Sequence, residues 1–188
     1  MACLVAGMVI GYLMGGRIRN LIDARLRWSG VALAGLVLQL APLPGALAGV
    51  AFPLLVLSHA ILIVFVLRNI HSPGFALILV GVVLNLIVIA ANHGMPVTHQ
   101  ALVAAHDRTG LIELRQRALR YHLAGPHDVL VFLSDAIGSS RPFQFIISLG
   151  DICIYLGGVA FVARTMAVKR VGTDPHLSHE AMVETTVP

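Results

Sequence analysis

A chain of 188 residues that is 57% hydrophobic and only 12% charged is too apolar for a soluble domain of its length. Its net charge of +4 comes from arginines bunched between apolar runs, not from a basic face with stacking aromatics, so nucleic-acid binding is excluded. Cys3 and Cys153 both lie within apolar runs and read as packing residues, neither a disulfide nor part of a metal motif.

Five apolar segments follow in chain order, over residues 3–15, 29–41, 46–67, 73–91 and 146–166. No basic stretch precedes the first, so it reads as a retained helix rather than a signal peptide. Gly7, Gly11 and Gly15 repeat every four residues along it, a small-residue ridge suited to close packing against a membrane protein partner. The first two segments are short and must tilt, thin the bilayer or borrow polar flanks. The third and fourth are long enough to span. Fold class is therefore all-α: a polytopic membrane bundle of about five transmembrane helices, forming one domain over residues 1–170. A polar tail, 171–188, lacks periodicity and is expected to be disordered.

Arginines orient the bundle. Arg17, Arg19, Arg25 and Arg27 follow the first segment, Arg68 the third, and Lys169 with Arg170 the fifth. Holding these in the cytoplasm puts the N-terminus outside and the C-terminus inside a bacterial inner membrane. Residues 92–145 then form a long outer connection. Thr98 is a fitting N-cap for a short helix through His106, broken at Thr109-Gly110. Residues 111–123 alternate as an amphipathic helix lying in the interface, with Arg115 and His122 interrupting its apolar face.

The chemistry-bearing residues gather at the outer end. Asp151 opens the fifth segment in Ser148-Leu149-Gly150-Asp151, and Asp135 precedes it in the same connection. Two adjacent carboxyls can share one proton and activate water; alternatively Asp135 caps a turn and Asp151 caps its helix. Asp135 and Asp151 are the candidate catalytic pair, with Arg115 and His122 as binding residues or counter-charges. Asn92, in the Asn92-His93-Gly94-Met95-Pro96 turn, either holds a substrate backbone or caps the helix end, and Asn85 lies on the same helix face. His93, His99, His106, His122 and His127 show no ligand spacing, so no metal and no cofactor is expected.

Two resemblances bear on function. Gly16-Arg17-x-Arg19-Asn20-Leu21-x-Asp23, Asn85-Leu86-x-Val88-Ile89-Ala90-x-Asn92-x-Gly94-Met95-Pro96, His122, Leu133-Ser134-Asp135 and Ser148-Leu149-Gly150-Asp151 run in one order along the chain. Together they resemble a family of small bacterial integral membrane proteins known as a domain of unknown function. More locally, Asn92-His93-Gly94, Leu133-Ser134-Asp135-Ala136-Ile137 and Ser148-Leu149-Gly150-Asp151-Ile152 are similar to motifs of lipoprotein signal peptidases, which are membrane aspartyl proteases. That likeness implies Asp135 and Asp151 as a catalytic dyad and Asn92 as a substrate-holding residue. Two expectations follow: an uncharacterised membrane protein, which the Gly7/Gly11/Gly15 ridge would suit to an accessory subunit of a larger complex, or, on the second resemblance, an intramembrane aspartyl hydrolase. The lipid bilayer is the partner common to both.

Overall fold

The computed structural model describes residues 2–40, 48–105, 120–140 and 145–167. Among them are seven α-helices: α1 (Ala2–Leu13), α2 (Ile18–Ile22), α3 (Ser29–Leu40), α4 (Ala48–Arg68), α5 (Phe75–Asn92), α6 (His99–Ala104) and α7 (Leu149–Ala167). Helices α4, α5 and α7 are long and apolar enough to cross a bilayer, which marks a membrane protein, while α1 and α3 are shorter apolar helices. The short α2 occupies the arginine-rich connection, where no helix is expected from the sequence.

The helices pack side by side in the order α3, α4, α5, α7, α1. Glycine sets two of these contacts. A Cβ on Gly7 would stand 2.7 Å from the Val162 Cβ, and one on Gly11 3.0 Å from Met166, so α1 runs parallel to α7. Most of the glycine ridge is thus spent on a neighbour within the chain; Gly15, past the end of α1, faces open space. Gly81 meets Gly150, and Gly74 meets Gly157, along an antiparallel α5–α7 contact.

These directions sort the molecule into two ends. At one, Arg17, Arg19, Arg25 and Arg27 gather between α1 and α3, with Arg68 at the close of α4. Asn69 ties this end together: its Oδ1 accepts the Arg27 N–H (2.8 Å), and its Nδ2 donates to the carbonyls of Arg27 (2.8 Å) and Phe65 (2.9 Å). The Arg68 guanidinium lies 4.6 Å from the centre of the Trp28 ring. Replacing Asn69 by leucine strands part-buried backbone groups and is expected to cost about 1–2 kcal/mol. Thermal unfolding in detergent measures it, and an unchanged midpoint would show that the tie carries no stability.

The opposite end carries the connection between α5 and α7, and four three-residue strands punctuate it. Strand β1 (Met95–Val97) pairs in parallel with β2 (Tyr121–Leu123), and β3 (Ile137–Ser139) pairs antiparallel with β4 (Phe145–Ile147). Thr98 caps α6, its side chain accepting the Ala101 N–H at 3.2 Å. Residues 121–123, expected to close an amphipathic helix, are therefore strand. A backbone partner brought alongside by the fold satisfies their amides, and this overrides the local pattern. Residues 111–119 of that expected helix, with Arg115, the Thr109-Gly110 break and the tail 171–188, lie outside the described residues.

Candidate functional site

At the strand-bearing end, the N-terminus of α7 is closed by a capping box. Ser148 Oγ accepts the Asp151 N–H (3.0 Å), and Asp151 Oδ2 accepts the Ser148 N–H (3.0 Å). The other Asp151 oxygen is held from α5, where Asn85 Nδ2 donates to Oδ1 at 3.0 Å. Asn85 Oδ1 in turn accepts the Ser148 hydroxyl at 3.0 Å. Gly150 makes this closeness possible, because a Cβ there would stand 1.9 Å from Asn85 Oδ1. Asp151 is thus a helix cap, fixed by three donors and acceptors. Each of its oxygens retains a further lone-pair direction.

Asp135 reaches the same place by a different route. Its N–H donates to the Pro96 carbonyl (3.1 Å) and its carbonyl accepts the Thr98 N–H (3.1 Å), a parallel bridge alongside β1. No hydrogen bond restrains its carboxyl among the described residues. Burial first, and then the negative charge of Asp151, push the Asp135 carboxyl up to about 7. Near neutral pH it therefore holds a proton that an ordinary aspartate would have lost.

Asp135 and Asp151 line one small cavity of about 80 Å³, several times the ~10–15 Å³ that one water needs. Its walls are largely polar: Gln39 from α3, His59 from α4, Asn85 from α5, and Arg120 with Tyr121 at the start of β2. Leu55, Ile89 and Met95 supply the apolar part and belong to the buried cluster built around Val88. His59 is oriented by its own helix. The Leu55 carbonyl can only accept, so His59 Nδ1 carries the proton (2.9 Å), which leaves Nε2 to accept from Gln39 Nε2 (3.2 Å). Arg120 donates to the carbonyls of Leu38 (3.0 Å) and Gln39, satisfying the exposed C-terminus of α3.

The other expected site residues lie elsewhere. His122 does not meet either acid of the pair; its Nε2 lies 3.0 Å from Asp128 Oδ1. The physical reason is the strand: on β2, His122 pairs with Pro96 of β1, and its side chain meets Asp128 in the loop that follows the strand. Burial opposes charge on Asp128, but the Gly125 N–H (2.7 Å) and His122 outweigh it and hold the carboxyl below its ordinary range. Asn92 does hold a peptide backbone, and it is the chain's own: Oδ1 accepts the Val129 N–H (2.8 Å) while Nδ2 donates to the carbonyls of Val129 and Val88 (both 2.9 Å). Arg115 lies outside the described residues.

Sequence reasoning passes over Gln39 and His59 as site residues, although a signal exists for both. Each is an isolated polar side chain in an apolar helix, where burial without purpose is costly. Among the described residues no group of three or more His, Cys, Asp or Glu side chains could hold a metal ion.

The model for a family of unknown function, DUF5317, matches residues 23–163 of the chain. No curated protein and no solved structure matches it.

Proposed function

The chain belongs to DUF5317, a family of unknown function, and we propose that it is an integral membrane hydrolase using Asp135 and Asp151 as an acid–base pair. The observation that carries this reading is the contrast between two acids on one polar cavity. Asp151 is held in place by N–H donors from Asn85 and Ser148, while Asp135 is desolvated, has no donor among the described residues and keeps its proton to about pH 7. In this reading Asp151, whose oxygens keep a free lone-pair direction on the cavity, is assigned the base: it takes a proton from a cavity water as that water attacks a carbonyl. Asp135 gives its proton to the carbonyl oxygen or the leaving group, and the pair ends with its protons exchanged. The substrate class is lipid-linked or peptide. The acids face outward and the arginine-rich end faces the bacterial cytoplasm, as the positive-inside rule favours.

A lipid-anchored peptide carrying a fluorophore, presented to the purified protein in lipid nanodiscs, tests this. Wild-type protein is expected to release the fluorophore, and Asp135→Asn or Asp151→Asn to lower the rate by about 10²–10⁴-fold. Because Asp135 must be protonated, the rate should fall as pH rises through about 7. Release that survives both substitutions would overturn the proposal. A silent wild type that co-purifies with a stable membrane partner would favour an accessory subunit instead.

A further inference from the structure

Between Asp128 and Asp135 the chain makes an uncharged crest, Val129-Leu130-Val131-Phe132-Leu133, that packs on α5 and α7. Its inner side is anchored. Leu133 packs against the Leu55, Val88, Ile89 and Met95 cluster, and the Ser134 hydroxyl donates to the Val131 carbonyl at 2.6 Å. Its outer side is bare: Phe132 is 66% exposed and Val129 52%. Leu130 also adopts the left-handed backbone region, φ 56°, which a leucine occupies only at some cost.

The height of the crest is fixed as well. Asn92, the last residue of α5, grips Val129 through both backbone groups. Since α5 is long enough to cross a bilayer, its last turn lies where hydrocarbon gives way to head groups. The crest is clamped to that level, and α5 itself exposes Ile87 and Val80. We propose that Val129, Leu130 and Phe132 insert into the lipid leaflet at this end and seat the strand-bearing cap on the membrane. Three uncharged apolar side chains at the interface suit acyl chains and the inner edge of the head groups. The inference stands on the crest alone and holds whatever chemistry the two acids perform.

The test uses the full chain with Cys3 and Cys153 changed to serine, a Phe132→Cys substitution and an environment-sensitive fluorophore at that thiol. It is reconstituted in vesicles of phosphatidylethanolamine and phosphatidylglycerol. Nitroxide placed high on the lipid acyl chains is expected to quench the label at 132, and aqueous iodide to leave it bright. A label at His99→Cys, on the exposed face of α6, should respond to iodide instead. Iodide quenching at 132 would put the crest in water and overturn the proposal. Shielding from both quenchers would put a protein partner over it and overturn the proposal equally. Phe132→Glu supplies a second reading: folded protein should be retained, and lipid nitroxide should lose its effect on a label at Val129→Cys.

Discussion

Asp135→Asn should make the protein more stable above neutral pH and leave it little changed in acid. In the fold the Asp135 carboxyl titrates near 7, against an ordinary value of 3.8, so the native state binds its proton more tightly than the unfolded chain does. Below about pH 4 both states are protonated and the site costs nothing electrostatically. As pH rises toward 7 the unfolded chain ionises and the native one does not, so stability falls through that window. At roughly 1.4 kcal/mol per pH unit the loss approaches about 4 kcal/mol above pH 7, and water in the cavity will reduce it. Asparagine keeps the shape and removes the charge. Unfolding midpoints at pH 5 and pH 8 should therefore diverge for the wild type and converge for Asp135→Asn. Equal pH dependence in both proteins would mean that Asp135 is not held protonated by its surroundings. A position where an ionisable group lowers stability, and where a neutral one would serve better, fits a functional role more readily than a structural one.

Gly150→Ala should be among the most damaging single-methyl changes in the chain. Its added Cβ would stand 1.9 Å from Asn85 Oδ1 and 2.7 Å from the Gly81 carbonyl. Relief requires α5 and α7 to separate, which pulls Asn85 off Asp151 and loosens the Ser148 cap at once. Overpacking of this kind costs about 1–3 kcal/mol, and broken buried hydrogen bonds add about 1–3 kcal/mol more. Gly158→Ala, two turns along the same helix, is the control. Nothing lies within 4 Å of its Cβ position, and alanine favours a helix over glycine by about 0.5–1 kcal/mol. The two variants should move the unfolding midpoint in opposite directions. Tolerance of alanine at Gly150 would show that the α5–α7 contact is looser than its geometry requires.

The sequence carries more of the fold than of the site. Helices α4 and α5 answer to uninterrupted apolar runs, and the expected ranges 46–67 and 73–91 lie close to Ala48–Arg68 and Phe75–Asn92. Thr98 is legible as a cap because capping needs only its own side chain and a donor three residues on. The Ser148-x-x-Asp151 box is equally local. His122 shows the limit of such reading. Seven residues from Arg115 on a supposed helix, it should share that residue's surroundings; on strand β2 it meets Asp128. No local rule announces that Met95–Val97 will offer a parallel backbone partner 26 positions before it (Met95 opposite Tyr121).

By itself, then, the sequence determined that this is an apolar helical bundle, that Arg17, Arg19, Arg25 and Arg27 cluster in one connection, and that an acid opens α7. Composition, period and caps act within a few residues, and each is written where it acts. Only the tertiary structure decided what the acid at position 151 faces. It brings Asn85 across from α5 through the space left by two glycines, lays Asp135 beside β1, and draws His59 and Gln39 toward both. Those meetings depend on how five helices stack and where a short parallel ladder forms. Contacts between residues far apart in the chain have no local signature, so a lone carboxylate became one side of a polar cavity only when the chain had folded around it.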